Sequence, residues 1–98
     1  MNIYILQEAS DELDEAYSYY ENLQSGLGDK FISRFKEALE LIRYFPLGWH
    51  PLSDNFRRTL LKSFPYGIIY TIEDNQIIIV AIANLHQKPK SYINRINI

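Results

Sequence analysis

The chain contains no cysteine, one tryptophan, one methionine and only two histidines in 98 residues. Without thiols there is neither a disulfide framework nor thiolate chemistry, and a reducing compartment suits the composition. His50 and His86 lie far apart and neither heads an HxxxH or HExxH pattern, so no metal site is expected. The four glycines, at 26, 28, 48 and 67, are too scattered for a phosphate-cradling loop and suit caps, turns and a strand. No cofactor is expected. No apolar run reaches the roughly 18–20 residues of a membrane span. The opening MNIYILQEAS has no basic residue before its apolar stretch and no small-residue cleavage site, which argues against a secretory signal. These absences predict a soluble cytoplasmic protein without a membrane partner.

What is present suffices for one domain, residues 1–98. A chain of this length buries roughly 60–70% of its unfolded surface, and its hydrophobic content of 47% can fill such a core. The net charge of −2 hides a division. Residues 1–49 hold nine acids and four bases, net −5; residues 50–98 hold three acids and six bases, net +3. Such asymmetry either creates a basic face for an acidic partner or reflects helices with acidic solvent faces.

Residues 2–6 are β-branched and aromatic, a strand pattern. Ala9, Leu13, Ala16, Tyr17, Tyr20 and Leu23 then fall on one helical face, and Ser25-Gly26 ends that helix. After Gly28-Asp29 the same offsets recur at Phe31, Phe35, Ala38, Leu39, Ile42 and Phe45, until Pro46. Helices joined by so few residues run antiparallel. Residues 46–55 read as a loop. Three strand patterns follow, Phe56–Ser63, Tyr66–Glu73 and Ile77–Ala83, with Asp74-Asn75 turning between the last two. The expected fold is α+β: an N-terminal strand, then an antiparallel two-helix hairpin packed on an antiparallel sheet, ordered β-α-α-β-β-β. Lys90–Ile96 adds a short C-terminal helix or tail.

Both alternating sets of Ile77–Ala83 are apolar, whereas a strand with one wet face shows polar residues at every second position. Either the tail, with Tyr92, Ile93 and Ile96, folds over the second face, or a partner chain covers Ile78, Val80 and Ile82. The carboxylates of the first helix read as a solvated acidic face. The remaining chemistry lies in the second half: Arg57, Arg58, Lys62, His86, Lys88, Tyr92 and Arg95. Arg58 and Lys62 are expected on the same strand face, since positions i and i+4 share a side, and Arg57 on the other. Bases with a tyrosine and a histidine suit phosphate binding and stacking, or RNA cleavage with His86 or Tyr92 moving protons. A solvated sheet edge would show the same residues.

The stretches ASDELDEAYSYYENLQSGLGDKF, RRTLLKSFPYGIIYTI and IIIVAIANLHQKPKSYINR, in this order, resemble the RelE/ParE toxin superfamily. The most specific pieces are the FPY-x-I-x-Y strand and the H-x-x-P-x-x-Y-x-x-R ending. The resemblance implies the toxin of a bacterial type II toxin–antitoxin pair, a plasmid stabilisation protein that inhibits growth until a cognate antitoxin wraps it. Homodimers or toxin–antitoxin hetero-oligomers are the assemblies implied. RelE-like members cleave messenger RNA on the ribosome; ParE-like members act on DNA gyrase. The RelE-like pattern maps its site onto Arg58, Lys62, His86 (or Lys88) and Tyr92, but Leu60 and Gly67 stand where bases are found. A fixed cation facing developing charge is worth on the order of 3–4 kcal/mol, about 100-fold or more in rate, and glycine cannot supply it. The resemblance therefore points to the ParE-like branch, a non-enzymatic toxin that binds gyrase through Arg57, Arg58, Lys62, His86, Lys88, Tyr92 and Arg95. Its antitoxin contacts would be Ile78, Val80 and Ile82. The alternatives are a ribosome-dependent endoribonuclease using Arg58, Lys62, His86 and Tyr92, and a non-toxic member that only binds antitoxin.

Overall fold

The computed structural model describes residues 1–53, 55–87 and 92–96. Strand β1 (Asn2–Ile5) leads into helices α1 (Gln7–Leu23) and α2 (Leu27–Tyr44). Strands β2 (His50–Pro51), β3 (Arg57–Leu60), β4 (Tyr66–Glu73) and β5 (Gln76–Asn84) follow, with one 3₁₀ turn at Ile93–Arg95. The sheet order is β1-β5-β4-β3-β2. The four later strands are antiparallel, as expected, and β1 adds to β5 in parallel. The helical hairpin makes that possible: two antiparallel helices return the chain to the side it left, and the later strands build inward from the far edge. No helix among the described residues is long and apolar enough to cross a membrane.

The helical stripes bury as their spacing requires. Ala9 and Ala16 of α1 and Phe31, Phe35, Ala38 and Ile42 of α2 meet Ile68 and Tyr70 of β4 and Ile77, Ile79 and Ile82 of β5. Tyr20, Phe31, Phe64 and Tyr66 add mostly edge-to-face aromatic contacts, with centroids 4.9 Å apart for Tyr20–Phe64 and 5.2 Å for Phe31–Phe64. The last residue of each stripe overshoots the sheet: Leu23 and Phe45 are exposed.

Between the helices, Gly26 takes a φ of +91°, the left-handed conformation glycine reaches without strain. Gly28 is pressed so close to α1 that a Cβ would lie 2.9 Å from Glu21 Cβ and from the Tyr17 ring. That approach lets the Glu21 carboxylate accept from the Gly26 and Gly28 amides, at 3.0–3.1 Å, and cap α2 from the preceding helix. Asp74 and Asn75, both at positive φ, close the β4–β5 hairpin.

Two of the boundaries that differ from the sequence reading bear on the site. The segment read as loop contains β2, which pairs His50 with Arg58 and Pro51 with Arg57. Proline is tolerated there because β2 is an edge strand. Strand β3 stops at Leu60, so Lys62 lies beyond it in a bend next to Ser63, whose φ is +72°. The expectation that Lys62 shares a strand face with Arg58 is therefore corrected.

Candidate functional site

Strand β5 is interior, flanked by β1 and β4. Its register carries a bulge: Ile69 pairs with Ala81 and Tyr70 with Ile79, which leaves Val80 as the extra residue. The bulge resets the alternation, so Ile77, Ile79 and then Ile82 all face the helices. Ile69, Val80 and Ala81 lie outside that cluster yet are 4%, 0% and 0% exposed. The doubly apolar character of residues 77–83 thus has a partly internal cause. Of the residues assigned to an antitoxin, Val80 and Ile82 are buried, and Ile78 is half-buried beside the exposed Tyr4 on the face away from the helices.

β1 reaches only to Ile79, leaving the β5 edge beyond it without a strand partner on that side. Arg95 and Glu12 take up this edge. The Arg95 guanidinium donates to Val80 O (3.0 Å) and forms a two-pronged pair with Glu12 (2.9 and 3.0 Å), while Glu12 Oε1 accepts from the Ile82 amide (3.1 Å). The guanidinium also stands 4.9 Å from the centroid of the Tyr92 ring. This pairing holds the Arg95 proton more tightly than usual. The C-terminal segment thus reaches β5 and α1 through Arg95, at the strand edge rather than over the second face where the tail was expected.

The cations read from the sequence do not form one cluster. Arg57 faces the helix side and donates to the carbonyls of Leu47 (3.2 Å) and Trp49 (2.9 Å), so it ties the β2 connection down. Arg95 is occupied by Glu12. Arg58 points to the opposite sheet face, in the row His50–Arg58–Ile69, and its aliphatic stem runs over Gly67. A Cβ on Gly67 would stand 3.1 Å from Arg58 Cγ and Cδ, so the glycine makes room for the arginine. Lys62 is exposed, and Lys88 lies outside the described residues.

His86 and Tyr92 do share a site, a cleft of about 570 Å³ between α1 and the adjoining ends of β4 and β5. Glu12, Glu15, Tyr19 and Tyr66 also line it. Burial and then the Glu12 charge push the Tyr92 hydroxyl above its usual value of 10.0, although Arg95 pulls it back in part. Tyr66 is raised as well, first by burial, with Glu15 among the charges acting on it. Both tyrosines keep their protons at neutral pH.

Sequence reasoning missed His50, which a two-residue strand places opposite Arg58, and it missed the carboxylates of the cleft. The signal for Glu12 and Glu15 was their i, i+3 spacing on one helical face. That spacing does not tell a solvated face from one that looks into a cleft.

Residues 3–89 match the family described as "ParE toxin of type II toxin-antitoxin system, parDE". Toxin ParE2 of Mycobacterium tuberculosis, in strains CDC 1551 / Oshkosh and ATCC 25618 / H37Rv, is 29% identical over 82 residues, spanning 83% of this chain and 78% of that protein. A solved structure titled "Chromosomal ParDE TA system from P. aeruginosa" shares the fold at a TM-score of 0.68 and 18% identity, over 88% of this chain and 97% of that one. With the family pattern spanning nearly the whole chain, the protein belongs to the ParE toxin family of type II toxin–antitoxin systems.

Proposed function

We propose that this toxin inhibits growth by binding DNA gyrase without cleaving RNA, and that its cognate antitoxin silences it. The observation that carries this reading is the separation of the nuclease candidates. His86 and Tyr92 look into a cleft that also holds Glu15, whose negative charge opposes a phosphodiester, and Glu12, which is paired with Arg95. Arg58 lies on the other sheet face and Lys62 past the strand end. The cation that does stand beside Tyr92, Arg95, is taken up by Glu12 and the Val80 carbonyl. The target contact falls to the opposite face, to Arg58 and His50, with Gly67 leaving the arginine stem flat on the sheet, and to the exposed Lys62 beyond the end of β3. The antitoxin contact falls on the strip Tyr4–Ile78, where apolar surface stays exposed.

Purified protein is expected to inhibit gyrase supercoiling or raise cleavage-complex levels, and the protein encoded next to it should reverse this. Unchanged gyrase activity would remove gyrase as the target. The shared cleft of His86 and Tyr92 favours one rival, a ribosome-dependent endoribonuclease. That reading requires message breaks in a translation extract that vanish in His86→Ala or Tyr92→Phe. A purely antitoxin-binding member would cause no growth defect when expressed alone.

A further inference from the structure

Two residues of the cleft beside α1, Glu12 and Tyr92, together hold a guanidinium, and the way they hold it shows what such a pair selects. Arg95 is gripped two-pronged by Glu12 and faces the Tyr92 ring, so the chain's own arginine uses a carboxylate and an aromatic wall together. One turn further along α1 a carboxylate and an aromatic ring recur, with no guanidinium held between them among the described residues. Glu15 lines the cleft and makes no ion pair or hydrogen bond among the described residues. Tyr19, one helical turn on from Glu15, is 58% exposed and lines the same wall. Opposite them Tyr66, only 8% exposed, brings its hydroxyl to the cleft, where it accepts a long contact from Asn84 (3.5 Å).

We propose that the Glu15–Tyr19–Tyr66 half of this cleft is a binding subsite for an arginine side chain of the antitoxin. Glu15 supplies the carboxylate for a two-pronged pair, Tyr19 the ring for the guanidinium plane, and the Tyr66 oxygen accepts a remaining N–H group, the Asn84 oxygen already accepting from the His86 amide (2.9 Å). Arginine suits the subsite better than lysine because the fork and the flat face act together, as they do for Arg95. The acidic first half, net −5, draws a basic side chain to α1 rather than to the basic strands. This inference rests on the reading that an antitoxin wraps the toxin. It adds a polar anchor distinct from the apolar strip at Tyr4 and Ile78.

The test compares wild type with Glu15→Gln and Tyr19→Leu, measuring affinity for the protein encoded next to the toxin gene at low and high salt. Melting temperatures are measured alongside, so that a loss of affinity is read only in variants that keep the wild-type midpoint. Glu15→Gln is expected to weaken binding about tenfold or more and to flatten its salt dependence. Glu15→Asp should recover part of the loss. In a second arm, N-acetyl-arginine amide titrated at millimolar concentration should shift the ring resonances of Tyr19 and Tyr66 in wild type, more than the lysine amide does and not in Glu15→Gln. Full antitoxin affinity in Glu15→Gln, with no arginine-dependent shifts, overturns the subsite and leaves the antitoxin reading intact. Wild type that does not bind its neighbour overturns that reading and this inference with it. Loss of gyrase inhibition in Glu15→Gln with antitoxin affinity retained assigns the arginine to the target and overturns the occupant named here.

Discussion

Tyr70 carries its hydroxyl into the interior between sheet and helices, where it donates to the Pro46 carbonyl. Burial pushes its pKa up to about 12 from 10.0, with Arg57 acting weakly in the opposite sense. Between these values the unfolded chain has lost a proton that the folded one keeps, so stability falls as pH rises from 10 to 12. The fall attributable to this group is about 2–3 kcal/mol. Tyr70→Phe should flatten that alkaline slope while costing about 1 kcal/mol at neutral pH for the carbonyl left without its donor. Denaturant titrations at pH 8 and 11 measure both. Gly67 presents the complementary case, a residue defined by what it does not occupy. Gly67→Ala should change stability by less than about 1 kcal/mol, because the arginine stem it meets is flexible. It should nonetheless lift Arg58 off the sheet and lower growth inhibition to the level of Arg58→Ala, with the double variant no weaker than either. An additive double variant would separate the two residues.

Among elements, the α1–α2 junction is the most constrained. Gly28 brings the helices into contact, and Glu21 reaches across that contact to the first amides of α2. Glu21→Ala should therefore cost about 1–2 kcal/mol, read as a fall in melting temperature of roughly 4–8 °C per kcal/mol. An unchanged midpoint would mean that water satisfies those amides equally well. The C-terminal 3₁₀ turn shows the same logic at a sheet edge. β1 is too short to pair all of β5, and the Arg95–Glu12 pair takes over the backbone groups left beyond Ile79.

The whole molecule divides its surfaces by charge and by sheet face. The acidic helical side holds the cleft, and the opposite face holds Arg58 and His50. A partner that binds only the folded toxin stabilises it by mass action. At one hundred times its dissociation constant, the antitoxin should add about 2.7 kcal/mol and raise the midpoint by about 10 °C or more. Co-melting with the neighbouring gene product checks this, and an unshifted transition would argue against a folded-state complex.

The order of elements was legible because it depends on local periodicity and turn chemistry. The stripes Ala9–Tyr20 and Phe31–Ile42, the Asp74-Asn75 turn and the apolar β5 need only neighbours in sequence to declare themselves. So was family membership, carried by patterns spread over most of the chain. The site was less legible. That Arg57 is tied to Leu47 and Trp49, that Arg95 is neutralised by Glu12, and that Arg58 faces away from His86 all depend on strand register, on the Val80 bulge and on contacts up to 83 residues apart. Charge in a sequence is a count, whereas charge at a surface depends on which partner the fold sets beside it. The amino-acid order by itself determined the α+β architecture and the toxin family; only the tertiary structure decided which cations stay free and that a carboxylate-lined cleft stands where the histidine and tyrosine meet.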